Sequence, residues 1–259
     1  MLIYIYKKNK IYSSHNMKNI KIFALLLTLF VSSNSYAATK DCFEKVNRAT
    51  FAFNNALDKV IFKPVATGYS YLPVPVKSGV NNATSNILYL ITIPNDILQG
   101  NFSNVFNNSG RFLINTTFGV LGLFDPAQKI GLEKLDHEDY GQTLGAWGVG
   151  PGCYFVLPIL GPTTVRDAVG RIGNTLLDPF YIMTVGDREM MNSDFEEKVY
   201  YIEKGLDVTD FRANNLKSFE NLEKNSVDLY ASIRSLYLQR RENLISNNST
   251  PKDEWKDFK

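Results

Sequence analysis

Chemistry in this 259-residue chain has few groups to pass through, for it contains two histidines, His15 and His137, and two cysteines, Cys42 and Cys153. His137 stands in the acidic run Asp136-His137-Glu138-Asp139, the residue types that hold a metal or move a proton. His15 lies in an N-terminal stretch read below as removed, so no second histidine completes a zinc site, and a solvated loop is the simpler reading of the run. Ser-His-Asp catalysis would need His137 as its base, and no G-x-S-x-G elbow presents a nucleophile. Gly148-Val149-Gly150-Pro151-Gly152 lacks both the GK[ST] ending of a phosphate loop and the dinucleotide spacing. No catalytic residue, no metal site and no cofactor is expected.

The elements around these groups are unusual. From Tyr140 to Val165 there is no Asp, Glu, Lys, Arg or His, a length that could cross a bilayer. The stretch carries glycines at 141, 145, 148, 150, 152 and 161 and prolines at 151, 158 and 162, which would leave backbone groups unpaired in lipid if it were one helix. It therefore predicts an irregular apolar segment wrapped by protein or lining a cavity, and the surrounding sequence suggests a lipid as the occupant. Gly148 and Gly150 flank one residue ahead of a proline-stiffened run and read as a hinge, close backbone packing being the alternative.

Met17 to Lys21, the apolar run 22–31 and SSNSYAAT have the basic, apolar and small-residue parts of a secretory signal peptide, predicted over 1–37 with Met17 as an alternative start. Cleavage removes Lys7, Lys8, Lys10, Lys18 and Lys21, turning 28 basic against 26 acidic groups into 23 against 26, a net charge of −3. Composition then gives no case for nucleic acid. Both cysteines would reach an oxidising compartment, as a disulfide or as two buried thiols.

Charge divides the remainder. From Pro64 to Phe124 the charged residues are Lys77, Asp96 and Arg111, whereas residues 187–259 are densely charged. Phe43, Val46, Thr50, Phe53, Leu57 and Val60 or Ile61 recur at helical spacing, predicting a core-facing helix that Pro64 ends. A second helix is predicted over about 76–93, with Pro94 opening a new turn. The uncharged stretch from Arg111 to Asp125 would extend only about 20 Å as a helix, too short to span roughly 30 Å of hydrocarbon. The charged run 129–139 reads as a water-facing rim. Ser193 and Glu196 have capping-box spacing, with Phe195, Val199, Ile202 and Leu206 as the stripe that follows; a last helix is predicted over about 227–245, and 246–259 as a disordered tail.

DCFEKVNRATFAFNNALDKVIFKPVATGY, LQGN, GRFLINTTFGVLGLFDPA, HEDYGQTLGAWGVGPGCYFVLPILGPTTVRDAVG and LYLQRRE together resemble the MlaA (VacJ) family over residues 41–245. The resemblance implies an all-α, ring-like helical assembly set in one leaflet of the Gram-negative outer membrane, on its periplasmic side. Residues 64–166 would be the embedded apolar part and 187–245 the charged helices. It implies intermembrane phospholipid transport that maintains lipid asymmetry, by way of an amphipathic channel, with a trimeric outer-membrane porin and a soluble periplasmic lipid carrier as partners, and no enzymatic activity. Asn47, Arg48, Phe51, Phe53 and Asn54 match its N-terminal signature beside the lipid path. Arg111, Phe112 and Asn115 match its central helix, Gly141, Gln142, Leu144 and Gly145 its GQTLG segment, and Gly148 and Gly150 its gating loop. Thr39-Lys40-Asp41 ahead of Cys42 does not read as a lipobox, unlike the lipid-anchored members. Cys42 stands where the family usually has proline; if Cys42 and Cys153 met, a disulfide would tie the N-terminal helix to the gate-adjacent stretch. The rival readings are a lipid esterase or phospholipase, and a structural partner of an outer-membrane barrel.

Overall fold

The structure is a computed structural model that describes residues 39–181 and 194–246; the signal peptide, Ser193 and nearly all of the tail lie outside the described residues. Helix α1 (Glu44–Leu57) does not stop at Pro64. It passes through a π-helical turn (Asp58–Phe62) directly into α2 (Lys63–Ser70), with Pro64 in the first turn of α2. The amide of Lys63 reaches back five residues to the Asp58 carbonyl, and this widened turn is how the rod accommodates a proline that has no N–H and whose ring would crowd the preceding turn.

Helix α3 (Val74–Leu98) likewise runs through Pro94 instead of restarting there. The reason lies in the residues that follow. Asn95 and Asp96 are buried, and Asn95 Oδ1 accepts from Thr143 Oγ1 at 2.6 Å while Asp96 Oδ2 accepts from Asn108 Nδ2 at 2.7 Å, so tertiary contacts hold the turn that proline weakens. Helix α4 (Phe102–Thr117) starts well before Arg111 because Asn101 caps it, accepting from Asn104 N. It ends at Thr117, and 118–124 form a chain of turns in which Val120 and Leu121 take left-handed φ of 54° and 56°.

Short helix α5 (Pro126–Lys129), capped by Asp125, leads through an extended run to α6 (Tyr140–Ala146), capped by Asp139. The uncharged stretch is thus a short helix, a turn and an antiparallel hairpin, β1 (Tyr154–Leu157) with β2 (Gly161–Thr164), registered Tyr154 on Thr164 and Leu157 on Gly161. Helix α7 (Val165–Leu176), a single turn α8 (Pro179–Tyr181), α9 (Asp194–Asn214), α10 (Leu216–Asn225) and α11 (Leu229–Ile245) complete the mostly helical chain. Among the described residues no helix is long and apolar enough to cross a membrane.

The packing closes on itself. The hairpin lies on α1 and α7, α7 on α6, α6 on α3, α3 on α9, α9 on α2, and α2 continues back through the π-turn to α1. At the α6–α7 contact a Cβ on Gly170 would sit 2.2 Å from the Gly141 amide nitrogen, so these helices meet backbone to backbone. Cys42 and Cys153 are joined in a disulfide that ties the segment just ahead of α1 to the residue before β1.

What fills this circuit is polar. Among the described residues 21 polar or charged side chains are buried against 11 hydrophobic ones, while 31 large hydrophobic side chains are exposed. Soluble domains place Asn, Asp and Arg outside and Ile, Leu and Phe inside, so the sorting here is reversed. Helix α1 and the π-turn show it directly: of the expected core stripe, Phe43, Val46, Phe53, Val60 and Ile61 are exposed, Thr50 and Leu57 are half-buried, and the buried residue is Asn47. Helix α9 repeats it, with Tyr200, Glu203 and Asp210 buried while Ile202, Val208 and Phe211 are exposed.

Candidate functional site

Where α1 and its π-turn face the hairpin and α9 to α11, the structure encloses a cavity of about 310 Å³. That is the size at which ligand pockets begin. Phe51, Leu57, Phe62, Val156 and Leu160 give it apolar walls, and Asn54, Asn55, Asp58, Arg212 and Glu223 supply the polar groups. Asn54 positions the hairpin tip: its Nδ2 donates to Leu157 O at 2.9 Å and its Oδ1 accepts from Ile159 N at 2.8 Å. Ile159 holds a left-handed φ of 66°, an uncommon state for a β-branched residue, and its side chain is exposed beside the cavity. Asn47 does the same one level deeper, donating to Tyr154 O and accepting from Val156 N at 3.0 Å.

At the cavity, Arg212 donates from Nε and Nη2 to the two oxygens of Asp58, each at 2.8 Å, and stacks 4.5 Å from the Phe219 ring centre. Its remaining nitrogen, Nη1, is buried without a hydrogen-bond partner. Glu223 pairs with Lys59 on the adjoining turn.

A second polar system lies between α3, α4 and α6. Arg111, 1% exposed, donates to Tyr89 Oη at 2.7 Å, to Leu132 O and to Asp125 Oδ2, and that partnership with Asn115 holds the Asp125 carboxyl below its usual range against the opposing effect of burial. Asn115 Nδ2 donates to Asp125 Oδ1 and its Oδ1 accepts from Ala127 N. His137 is half-buried. Its Nε2 lies 2.7 Å from Ser85 Oγ and its Nδ1 2.9 Å from Thr92 Oγ1. Thr92 Oγ1 also donates to Leu88 O, so both ring nitrogens of His137 meet hydroxyl groups of α3. Nor is the charged run a simple rim, since Glu138 is 7% exposed and burial pushes its carboxyl up to about 7. Gln142 Nε2 donates to His137 O at 2.9 Å, fixing the run beneath α6. Beyond it, Arg241 clamps Asp139 and Asp167, whose carboxyls it holds low.

Of the residues singled out from sequence, Phe51 and Asn54 line the cavity and Asn47 braces its wall. Phe53 is exposed on the outer surface. Arg111, Asn115 and Gln142 are buried in the second polar system, and Phe112 is half-buried on α4. Gly148 sits after α6 with φ of 87° and nothing within 4 Å of where a Cβ would be; Gly150 follows, half-buried, and neither lines the cavity. Asp58, Arg212 and Glu223 were not singled out. Their signal was faint, a charge on each of two distant segments that only the closed circuit brings together.

The outer surface of the same elements is apolar. Phe118, Val120, Leu121 and Phe124 are exposed along the turns after α4, Phe102 and Phe106 at its start, and Ile159 and Leu160 at the hairpin tip. Left-handed φ at Val120 and Leu121 costs of order 1–3 kcal/mol each, a strain that here presents apolar side chains outward. Exposed apolar surface on this scale marks contact with lipid or protein.

The MlaA lipoprotein family model matches residues 39–244. An uncharacterised protein of Rickettsia bellii is 42% identical over 204 residues, 78% of this chain and 75% of its own length. A Haemophilus influenzae protein named intermembrane phospholipid transport system lipoprotein MlaA is 31% identical over 203 residues, 77% of this chain and 76% of its own. A solved structure described as "Structural basis for maintenance of bacterial outer membrane lipid asymmetry" superimposes with a TM-score of 0.69 at 31% identity, covering 80% of this chain and 99% of that one.

Proposed function

Because the chain belongs to the MlaA lipoprotein family, we propose that it binds phospholipid at the outer membrane and passes it toward the periplasm, without covalent chemistry. The observation that carries this reading is the reversed sorting of side chains, with apolar residues outside and a polar, hydrogen-bonded interior. Such a body rests stably in acyl chains, where an outward Phe or Leu meets a matching environment and an inward Asn or Arg is satisfied by protein. It sits in one leaflet, since no described helix is long and apolar enough to cross. Misplaced phospholipids enter with headgroups on the polar side and tails against apolar walls.

Gly148, in its open left-handed turn, and Gly150 act as the hinge that admits the lipid. Phe51 and Asn54 touch it, Asn47 supports them, and Arg111, Phe112, Asn115 and Gln142 shape the interior. The sequence carries no nucleotide-binding motif, so direction is set by partners, an outer-membrane porin that holds the protein and a soluble periplasmic carrier that takes the lipid. This reading gives His137 a structural place between Ser85 and Thr92 on α3, and a lipid hydrolysis assay tests it. The test is mass spectrometry of lipids carried by detergent-purified protein: about one phospholipid per chain is expected, and a lipid-free, detergent-independent monomer would refute the reading.

A further inference from the structure

The matching family and its Haemophilus relative are named as lipoproteins, and in this chain the fold gives the cysteine that could carry such a lipid another use. A bacterial lipoprotein begins at its anchor cysteine: the sulfur takes diacylglycerol as a thioether, and the chain is cut immediately ahead of that residue. Cys42 is the only cysteine before residue 153, and its sulfur is bonded to that of Cys153. A sulfur closed into a disulfide has no bond left for a thioether.

The residues that such a cut would remove are also in use. The Asp41 side chain is 6% exposed; its Oδ1 accepts from Asn47 Nδ2 at 2.7 Å and its Oδ2 from Tyr230 Oη, with Arg234 Nε 3.9 Å away. Lys40 O accepts from Tyr154 N at 2.9 Å at the start of β1, and Thr39 O accepts from Arg234 Nη2 at 2.8 Å. Asn47 is the side chain that braces β1 through Tyr154 O and Val156 N, so Asp41 fixes the residue that fixes the hairpin. A cut ahead of Cys42 would take this buried carboxylate from Asn47, Tyr230 and Arg234 and leave an ammonium group beside the guanidinium.

We propose that Cys42 carries no lipid: the mature chain begins at or ahead of Thr39, and residues 39–42 form a strap along β1 that the disulfide closes. The bond forms by thiol–disulfide exchange, the two thiols giving two electrons and two protons to a disulfide-bearing oxidant of the cell envelope. Attachment to the membrane then falls to the exposed apolar surface. The proposal goes beyond the phospholipid reading and rests only on the export reading of residues 1–37.

The test makes the full precursor in a Gram-negative host fed alkynyl palmitate, with the host's own lipoproteins as the labelling control. The chain purified from the envelope is read by intact mass and non-reducing peptide mapping. Wild type is expected to begin ahead of Asp41, to carry no label, and to yield the Cys42 and Cys153 peptides linked; Cys42→Ser should be cleaved as completely as wild type. A chain that starts at Cys42 and bears the label, two unlipidated free thiols, or Cys42→Ser accumulating as uncleaved precursor would overturn the proposal and leave the phospholipid reading standing. Uncleaved wild type would overturn the export reading along with it. An unlabelled, disulfide-bonded chain that salt alone frees from membranes would bear out the proposal and contradict the membrane reading. Asp41→Ala in the full chain should speed hydrogen exchange of the 154–157 amides at least tenfold. Unchanged exchange would show that the hairpin does not need the strap, and if this variant does not fold, the peptide map of wild type decides.

Discussion

At the scale of single residues, the buried acids make the protein's stability depend on pH in a direction that can be worked out. Glu138 is raised from an ordinary 4.5 to about 7, and Asp96 from 3.8 to about 6, chiefly by burial. In the unfolded chain each loses its proton first as pH rises, so each lowers folding stability progressively between its ordinary and its folded value. Glu138→Gln should therefore gain stability over wild type at pH 8 and converge with it below pH 4.5, as read by denaturant titration; parallel profiles would contradict the assignment. The Cys42–Cys153 bond spans a sequence separation of 111 residues. On chain-entropy grounds it is worth about 4–5 kcal/mol, and replacing both cysteines with serine should cost stability of that order, whereas an unchanged midpoint would show that the bond does not form. His137→Ala should leave lipid hydrolysis at background, as in wild type. Sequence could not place this histidine inside, because its partners, Ser85 and Thr92, lie far off in the chain on α3 and neither residue type advertises burial.

Elements show why some of the fold was legible and some was not. Helical spacing in 43–61 was real, and so was the irregularity of 140–165, since six glycines and three prolines do yield a turn and a hairpin in place of one helix. The inference from stripe to core failed, because an apolar stripe faces whatever is apolar, and around α1 that is the outside. Pro64 and Pro94 misled in a related way: local rules end a helix at proline, but a π-turn at one and buried Asn95 and Asp96 at the other carry the helix through. Family resemblance, more than periodicity, pointed to the all-helical circuit. Two substitutions separate inside from outside. Arg111→Ala removes one partner of a buried ion pair with Asp125 and should destabilise by about 3–5 kcal/mol, measured by thermal unfolding. Leu121→Asp, 74% exposed in the turns after α4, should leave unfolding in detergent nearly unchanged yet reduce partition into vesicles at least tenfold; equal partition would mean these turns do not meet lipid.

For the molecule as a whole, the closed circuit of packing and the reversed sorting of side chains are one fact. A chain that returns to the start of its circuit through α9, α2 and α1 encloses polar groups at least cost where they pair with one another, as Arg111, Asn47, Asn95 and Asp167 do. Its outside is then free to be apolar, which in water would drive aggregation and in a leaflet is the stable arrangement. The central claim is that this outside lies among acyl tails. Phospholipids brominated at defined depths quench a tryptophan they touch, so the direct measurement is quenching of a Phe118→Trp variant, with Trp147 and Trp255 replaced by Phe, reconstituted in such bilayers. Strong quenching by bromines within the acyl region of one leaflet is predicted; fluorescence unaffected at every depth would contradict the account.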